Sequence, residues 1–286
     1  MASRRSGVSL QTVVAVIWST VEMGRSIAVV ICIAGILAAG PSGGSPAPRS
    51  AGHLVRRGSV IGHSVRGHKL HVWERGDPDA DSIVVVGCIH GNECAALPVI
   101  RKLIHGPLPR HVDLWIIPTL NPDGMKAGTR QNAHRVDLNR NFHYLWRKIG
   151  EPGDTYYSGP HPLSEPESRA AVRFIKRIAP RVSIWFHQAE DVVWGPHHRR
   201  KRIAHCYAQL VGQQYRREVP TPGSVTTWQN HRFSKDSAIL DELPHWGALR
   251  ATEVRRYTSA IRSLMDWYAA GHPRTCPEHA THSALR

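Results

Sequence analysis

Acidic residues are few in this chain: 22 Asp and Glu stand against 37 Lys and Arg among 286 residues, a formal net charge of +15 at neutral pH. An imbalance of that size implies an anionic partner, whether nucleic acid, an anionic membrane surface, or the phosphate- and carboxylate-rich polymers of a cell wall. Nucleic acid drops to last place because its signatures are missing. There is no finger spacing and no aromatic ribonucleoprotein motif, and the basic residues are scattered apart from one compact run, Arg199 to Arg202. That run also reads as an ordinary solvated face. Anionic cell-wall polymers therefore rank first, and no nucleic-acid partner is expected. No internal repeat is present, which sets aside solenoids and propellers.

A long apolar run is missing too. The strongest, Ile27 to Ala39, has 13 residues, short of the ~20 that span a bilayer but within the range of a signal-peptide core. Met23, Gly24 and Arg25 before it make a compact signal-peptide start, whereas Arg4 and Arg5 fit a twin-arginine signal poorly. The expected organisation is a misannotated extension over 1–22 and a signal peptide or membrane-proximal segment over 23–40. A Gly/Pro/Ser linker over 41–57, a folded domain over 58–270 and a tail over 271–286 complete it. The protein is expected to be secreted or held at the cell envelope. Oligomeric state leaves no mark in the sequence.

Cysteine is scarce. Cys32 lies in the apolar run, and Cys88, Cys94, Cys206 and Cys276 form an even set compatible with two disulfides in an oxidising compartment. The pairing is not readable. A bridge from Cys88 or Cys94 would brace the turn they flank, while Cys88 reads equally well as a small buried hydrophobe.

That turn is the stretch the chain is organised around. Ile83 to Glu93 (IVVVGCIHGNE) is a Val/Ile-rich run closed by turn residues, the pattern of a buried strand delivering a loop. His90 and Glu93, three residues apart where the strand ends and a helix beginning at Glu93 is expected, can turn towards one point, as two ligands of one metal must. The plainer reading is a surface histidine and a first-turn glutamate on a helix dipole.

The elements around it alternate. A hairpin is expected from Ser59–Val65 and His68–Glu74, a strand over Val112–Pro118 ending in an NPDG turn, and a long polar loop over Gly128–Phe142, a kind of segment more often functional than decorative. Ser164 and Glu167 read as a capping box around Pro166. Arg181–Phe186 reads as a strand delivering His187, Arg202–Tyr215 as a helix, and Ala238–Leu243 as a strand. The apolar spacing from Val254 to Tyr268 predicts a closing amphipathic helix. The fold class is α/β, one domain with a central sheet.

His90, Glu93 and His187 together make the ligand set of a catalytic zinc with one position left for water. With GCIHGNE, NPDG (121–124), GTRxNxxxVDLNRNF (128–142), YYSGPxPLSEPES (156–168), WFHQ (185–188), GSVTTW (223–228) and ELP (242–244), the chain resembles the M14 zinc carboxypeptidase family, in particular its bacterial murein peptide amidase type. The resemblance implies a mixed, twisted sheet flanked by helices, of the phosphorylase/hydrolase-like kind, and one Zn(2+) per chain on His90, Glu93 and His187. It also implies Glu242 as catalytic carboxylate, Arg130 for the oxyanion, Asn139 and Arg140 for the substrate's free carboxylate, and Val225 on the specificity pocket. The rival for Arg140 is an ion pair with Asp137 or Asp123.

Three departures from the family stand out. Arg135 occupies a place where amidase-type members usually have glycine, so the loop backbone is open to question. Asp241 replaces an apolar residue; pointing away from Glu242 into the core, it needs a partner or a raised pKa. The tyrosine that caps the substrate has no clear counterpart, Tyr215 being offset. The first expectation is thus an exported zinc peptidase or amidase acting on a murein-derived peptide beside a free carboxylate. The alternatives are an aspartoacylase-like deacylase of N-acyl amino acids and a catalytically idle cell-wall-binding module.

Overall fold

The computed structural model describes residues 54–197, 201–233, 237–271, 273 and 275–277. The expected extension and signal segment, the linker as far as residue 53, and Arg199 and Arg200 of the basic run lie outside the described residues. Among the described residues eight strands form one sheet: β1 (Val55–His63), β2 (Lys69–Gly76), β3 (Ser82–Val86), β4 (Asp113–Ile117), β5 (Val182–Gln188), β6 (Val192–Gly195), β7 (Gln214–Arg217) and β8 (Ser237–Leu243). Their order is β1-β2-β4-β3-β5-β8-β6-β7. The central strands β4, β3, β5 and β8 run parallel, while β1/β2, β2/β4 and β6/β8 pair antiparallel, so the sheet is mixed as expected.

Parallel central strands are covered on both faces, and β5 shows it with all seven residues buried. Ile184 and Phe186 face one core with Ile83, Val85, Ile100, Tyr207, Tyr257 and Ile261. Its helices are α1 (Leu97–His105), α4 (Lys201–Val211) and α6 (Ala251–Ala269). Trp185 faces the other core with Val84, Phe174, Val225 and Trp228 under α3 (Pro166–Ile178) and α5 (Val225–Arg232). The hairpin, the β3, β4, β5 and β8 strands and the closing helix stand where the sequence pattern puts them. Among the described residues no helix is long and apolar enough to cross a membrane.

Several boundaries differ, each for a local reason. The first strand opens at Val55, inside the expected linker. The helix after the HGNE turn starts at Leu97, not Glu93, so Glu93 is a loop residue and the helix-dipole account of it fails. NPDG is not a free turn: Asn121 caps the short helix α2 (Pro122–Ala127), its Oδ1 accepting from Gly124 N at 2.8 Å. The capping box at Ser164 does not form. Glu165 is the N-cap residue, Pro166 opens the helix, and Glu167 is drawn to Val65 N at 3.0 Å and Asn132 Nδ2 at 3.1 Å. The expected helix over Arg202–Tyr215 stops at Val211, and Tyr215 lies in β7. Strands β6 and β7 have four residues each, too short for a periodic signal.

Two of the departures resolve physically. Arg135 adopts φ 64°, the left-handed conformation that glycine takes freely. The loop therefore keeps the glycine-type backbone, and the Arg135 side chain reaches out to donate to Pro152 O at 2.8 Å. Asp241 turns away from the site and is 0% exposed; Tyr207 Oη donates to its Oδ2 at 2.6 Å and Oδ1 has no partner. Burial pushes its pKa up to about 7 against the hydrogen bond from Tyr207. The folded state thus binds a proton that the unfolded state releases near pH 3.8, so this group lowers stability as pH rises from about 4 to about 7. Asp241→Asn keeps the shape without the titration. Denaturant midpoints should fall across that interval more steeply for the wild type than for D241N, and equal slopes would refute this account.

Candidate active site

The site begins where β3 stops. Beyond Val86 the chain turns through Gly91, where a Cβ would lie 2.0 Å from the carbonyl carbon of Gly124; only glycine lets the loop pass so near α2. The loop is clamped at both flanks. A Cys88–Cys94 disulfide spans it with 5.0 Å between Cα atoms, and Gln188 Oε1 accepts from Ala95 N at 3.0 Å. The second disulfide joins Cys206 to Cys276, tying the tail to α4.

His90, Glu93 and His187 converge with their ligand atoms all within 4.8 Å of one another, and all three are buried. His90 Nδ1 and His187 Nδ1 lie 2.8 and 2.9 Å from the same oxygen, Glu93 Oε2. His90 Nε2 lies 2.9 Å from Asp137 Oδ1, and since an ionised carboxylate only accepts, Nε2 carries the proton. Nδ1 is then left for either a second proton or a metal, the orientation that a carboxylate behind a ligating histidine provides.

The electrostatics fit a cation. Burial opposes charge on His90, yet the carboxylates of Asp137 and Glu93 outweigh it and raise its pKa. Burial likewise pushes Glu93 and Asp137 up, but His90 and its neighbours hold both below the usual carboxylate range. Burial lowers His187 to about 4, so its imidazole is neutral, the form that ligates. Its Nε2 is buried without a partner. Two imidazoles and a carboxylate in this arrangement suit a divalent zinc-type ion.

Glu242 stands beside them because β5 and β8 run parallel with His187 opposite Glu242. Burial raises its pKa to about 8, the charges of Glu93 and Glu190 adding to the effect, and its Oε2 has no partner. Positive charge brought into the neighbouring trio would pull that value down. His90, Glu93, His187, Glu242, Arg130, Asn139 and Arg140 all line one cavity of about 510 Å³.

The polar loop brings the remaining groups. Arg130 Nη1 donates to Glu93 Oε1 at 2.6 Å and Nε to Asp137 Oδ2 at 3.1 Å. The ion pair expected as a rival role for Arg140 thus belongs to Arg130. Arg140 Nη1 donates to Asn139 O at 2.8 Å, and Asp123 is occupied by Ser64, Arg66 N and His68. Asn139 Oδ1 accepts from Val225 N at 2.9 Å, which leaves the amide's donor end for a ligand. Val225 is corrected here: its side chain is 0% exposed in the core and does not line the cavity. Its neighbour Ser224 lines the cavity in its stead.

Tyr215 turns away from the cavity, its hydroxyl donating to Pro196 O at 2.7 Å. The tyrosine that does line it is Tyr156, which is 51% exposed, with the Arg130 and Arg140 guanidinium carbons 5.3 and 5.2 Å from its ring centroid. Sequence reasoning passed over Tyr156, although it stands first in the YYSGP segment. Asp137 was weighed only as a partner for Arg140; its place at the head of DLNR was the available signal. Gln188, one residue beyond His187, was also missed.

A sequence profile described as zinc carboxypeptidase matches residues 52–275. Murein peptide amidase A of Escherichia coli is 27% identical over 220 residues, 72% of this chain and 88% of that protein. The protein of the same name from Vibrio campbellii is 28% identical over 178 residues, covering 56% and 68%. Among solved structures, a murein-tripeptide amidase from Escherichia coli O157 matches with TM-score 0.61 and 25% identity, covering 80% of this chain and 98% of that one. Carboxypeptidase A from Helicoverpa armigera matches with TM-score 0.66 at 17% identity over 77% and 70%, a likeness of fold. With the fold, the His-Glu-His cluster and a profile match over most of the chain in agreement, this chain belongs to the zinc carboxypeptidase family and is a hydrolase of it.

Proposed function

We propose that the chain is an exported zinc amidase that cleaves the γ-D-glutamyl-diaminopimelate bond of murein peptides. The observation that carries the hydrolytic part is the unpaired carboxylate oxygen of Glu242, beside His90, Glu93 and His187 on the wall of one cavity. The three ligands would hold one zinc, which when bound supplies an acidified water and a polarised scissile carbonyl. Glu242 takes the proton of the attacking water and returns it to the departing amine, a role that its burial suits. The guanidinium of Arg130, held beside the site by its hydrogen bonds to Glu93 and Asp137, would meet charge developing on the carbonyl oxygen. Arg140 and the donor end of Asn139 receive the free carboxylate of the leaving residue.

The substrate class follows from the walls and from the relatives. Arg130 and Arg140 share the cavity with Glu190, Glu218 and Glu242. Glu218 is engaged by Thr226, Thr227 and Asn230, whereas Glu190 is exposed and, among the described residues, receives Trp194 Nε1 at 3.2 Å. Cationic and acidic walls together suit a leaving residue that bears both carboxylate and ammonium groups, as diaminopimelate does. The named amidase relatives point the same way. Export is supported by the two disulfides, which persist in oxidising compartments.

Glu242→Gln should bind zinc with wild-type stoichiometry while kcat falls by about 10²-fold to 10⁴-fold, read from metal analysis and turnover of one preparation. Retained turnover would remove Glu242 from the mechanism. Chelation should abolish activity, zinc should restore it, and the apo form should unfold at lower temperature because the metal binds only the folded site. A murein tripeptide should be cleaved, with free diaminopimelate identified by mass, and N-acyl amino acids left intact; the reverse preference would favour the deacylase reading.

A further inference from the structure

A second charged cavity runs along helix α1. The active site sits at the carboxyl ends of β3, β5 and β8, whereas Arg75 pairs with Leu114 near the start of β4. Helix α1 runs between the two ends, its nine residues carrying the chain ~13 Å along its axis. Between α1 and α6 the cavity, of about 490 Å³, is lined by Arg101, Lys102, His105, Gly106 and Arg262 with Pro98 and Thr258. Among the described residues no acidic side chain lines it, and it shares no residue with the active-site cavity.

Beneath Gly106 lies Arg75, which is 0% exposed. Its Nη2 donates to Gly106 O at 2.6 Å, while Nε and Nη1 are buried with no partner. Arg262 reaches the same turn, its Nη2 donating to Lys102 O at 3.5 Å. A Cβ on Gly106 would lie 2.2 Å from Arg262 Nη2 and 2.5 Å from Lys102 O, so glycine is what lets the second guanidinium approach. Burial lowers the pKa of Arg75 and the charges of Arg56 and Arg262 lower it further. Arg75 does not itself line the cavity; its buried, largely unpartnered charge adds to the positive potential of the lining cations, which a bound anion would offset.

We infer that the α1/α6 cavity is an anion site that takes a phosphoryl group, with Arg262, Arg101, Lys102 and His105 around the oxygens and Arg75 behind Gly106. Forked guanidinium donors match a tetrahedral oxyanion better than a lone ammonium would. The phosphoryl group is shared chemistry of free phosphate, a phosphodiester polymer of the wall and a phospholipid headgroup. The proposal stands apart from the hydrolase reading, since it uses none of that site's residues.

The test is a titration of the full chain with inorganic phosphate at constant ionic strength, followed by NMR. Gly106 and His105 report this cavity and Gly91 the active site. Saturable shifts at Gly106 and His105 are expected, weakened on the order of tenfold or more in Arg262→Gln and in Arg101→Gln, as loss of a charged hydrogen bond implies. Both variants are chosen because Arg75→Met could fail to fold. Peptide hydrolysis should be unchanged in them. Parallel titrations with poly(glycerol phosphate) and with phosphatidylglycerol vesicles assign the source by whichever binds most tightly and loses most in Arg262→Gln. Absence of saturable shifts at Gly106, or equal binding by wild type and both variants, would overturn the proposal.

Discussion

Glu93 and Asp137 are carboxylates with 1% and 0% exposure, and the architecture of the catalytic end depends on meeting their charge. An unpaired buried carboxylate is so costly that the fold must bring cations to it or neutralise it. Here His90 lies between the two acids, His187 reaches Glu93 from β5, and Arg130 joins both from the polar loop. Three segments separated in sequence are thus held by one charge network. The network also leaves His90 Nδ1, His187 Nδ1 and Glu93 Oε2 facing one another, so the same arrangement that stabilises the apo fold presents the ligand set.

A second layer of buried acids holds the loop that carries Arg130 and Arg140. Asn132 donates to both Glu165 and Glu167, and Glu167 also accepts from Val65 N. Asp123 receives Ser64, Arg66 N and His68. The β1–β2 hairpin turn, α2 and the start of α3 are thereby tied to one polar loop. A 15-residue segment without a period can keep a fixed shape because its polar groups have partners supplied from elsewhere. Asn121 Nδ2, donating to Arg130 O at 3.2 Å, sets the backbone from which the Arg130 side chain extends.

Much of this was legible because its causes are local. Apolar runs such as IVVV and VSIWF are long enough to mark buried strands, and the parallel pairing of β5 with β8 then sets His187 opposite Glu242. The opposite facing of Asp241 follows from the alternation of strand side chains. What escaped is what tertiary contacts decide. Glu167 looked like a capping residue because its spacing from Ser164 is right, but Asn132 and Val65 N, distant in sequence, claimed its oxygens. Val225 sits in a motif expected at the specificity pocket, yet only its backbone N–H reaches that end, donating to Asn139 Oδ1, while its side chain fills the core. Tyr156 is set over the cavity by two arginines from another segment, which no spacing within YYSGP could announce. The disulfide pairing was equally hidden, since four cysteines admit three pairings and proximity alone selects one.

The net charge of +15 takes on a different meaning once it is placed. Solvation explains an arginine on an open surface, and exposed side chains such as Lys102 and His105 need no other account. It does not explain Arg75, whose guanidinium is out of reach of water and has a single carbonyl as partner. At the catalytic end, by contrast, buried acids are answered by His90, His187 and Arg130. The parallel strands separate the two ends, so the acids of one cannot neutralise the cations of the other at short range, and screening weakens anything beyond ~8–10 Å. The positive charge of Arg101, Lys102 and Arg262 along the α1/α6 groove, with Arg75 behind it, is therefore not offset by the acids of the catalytic end.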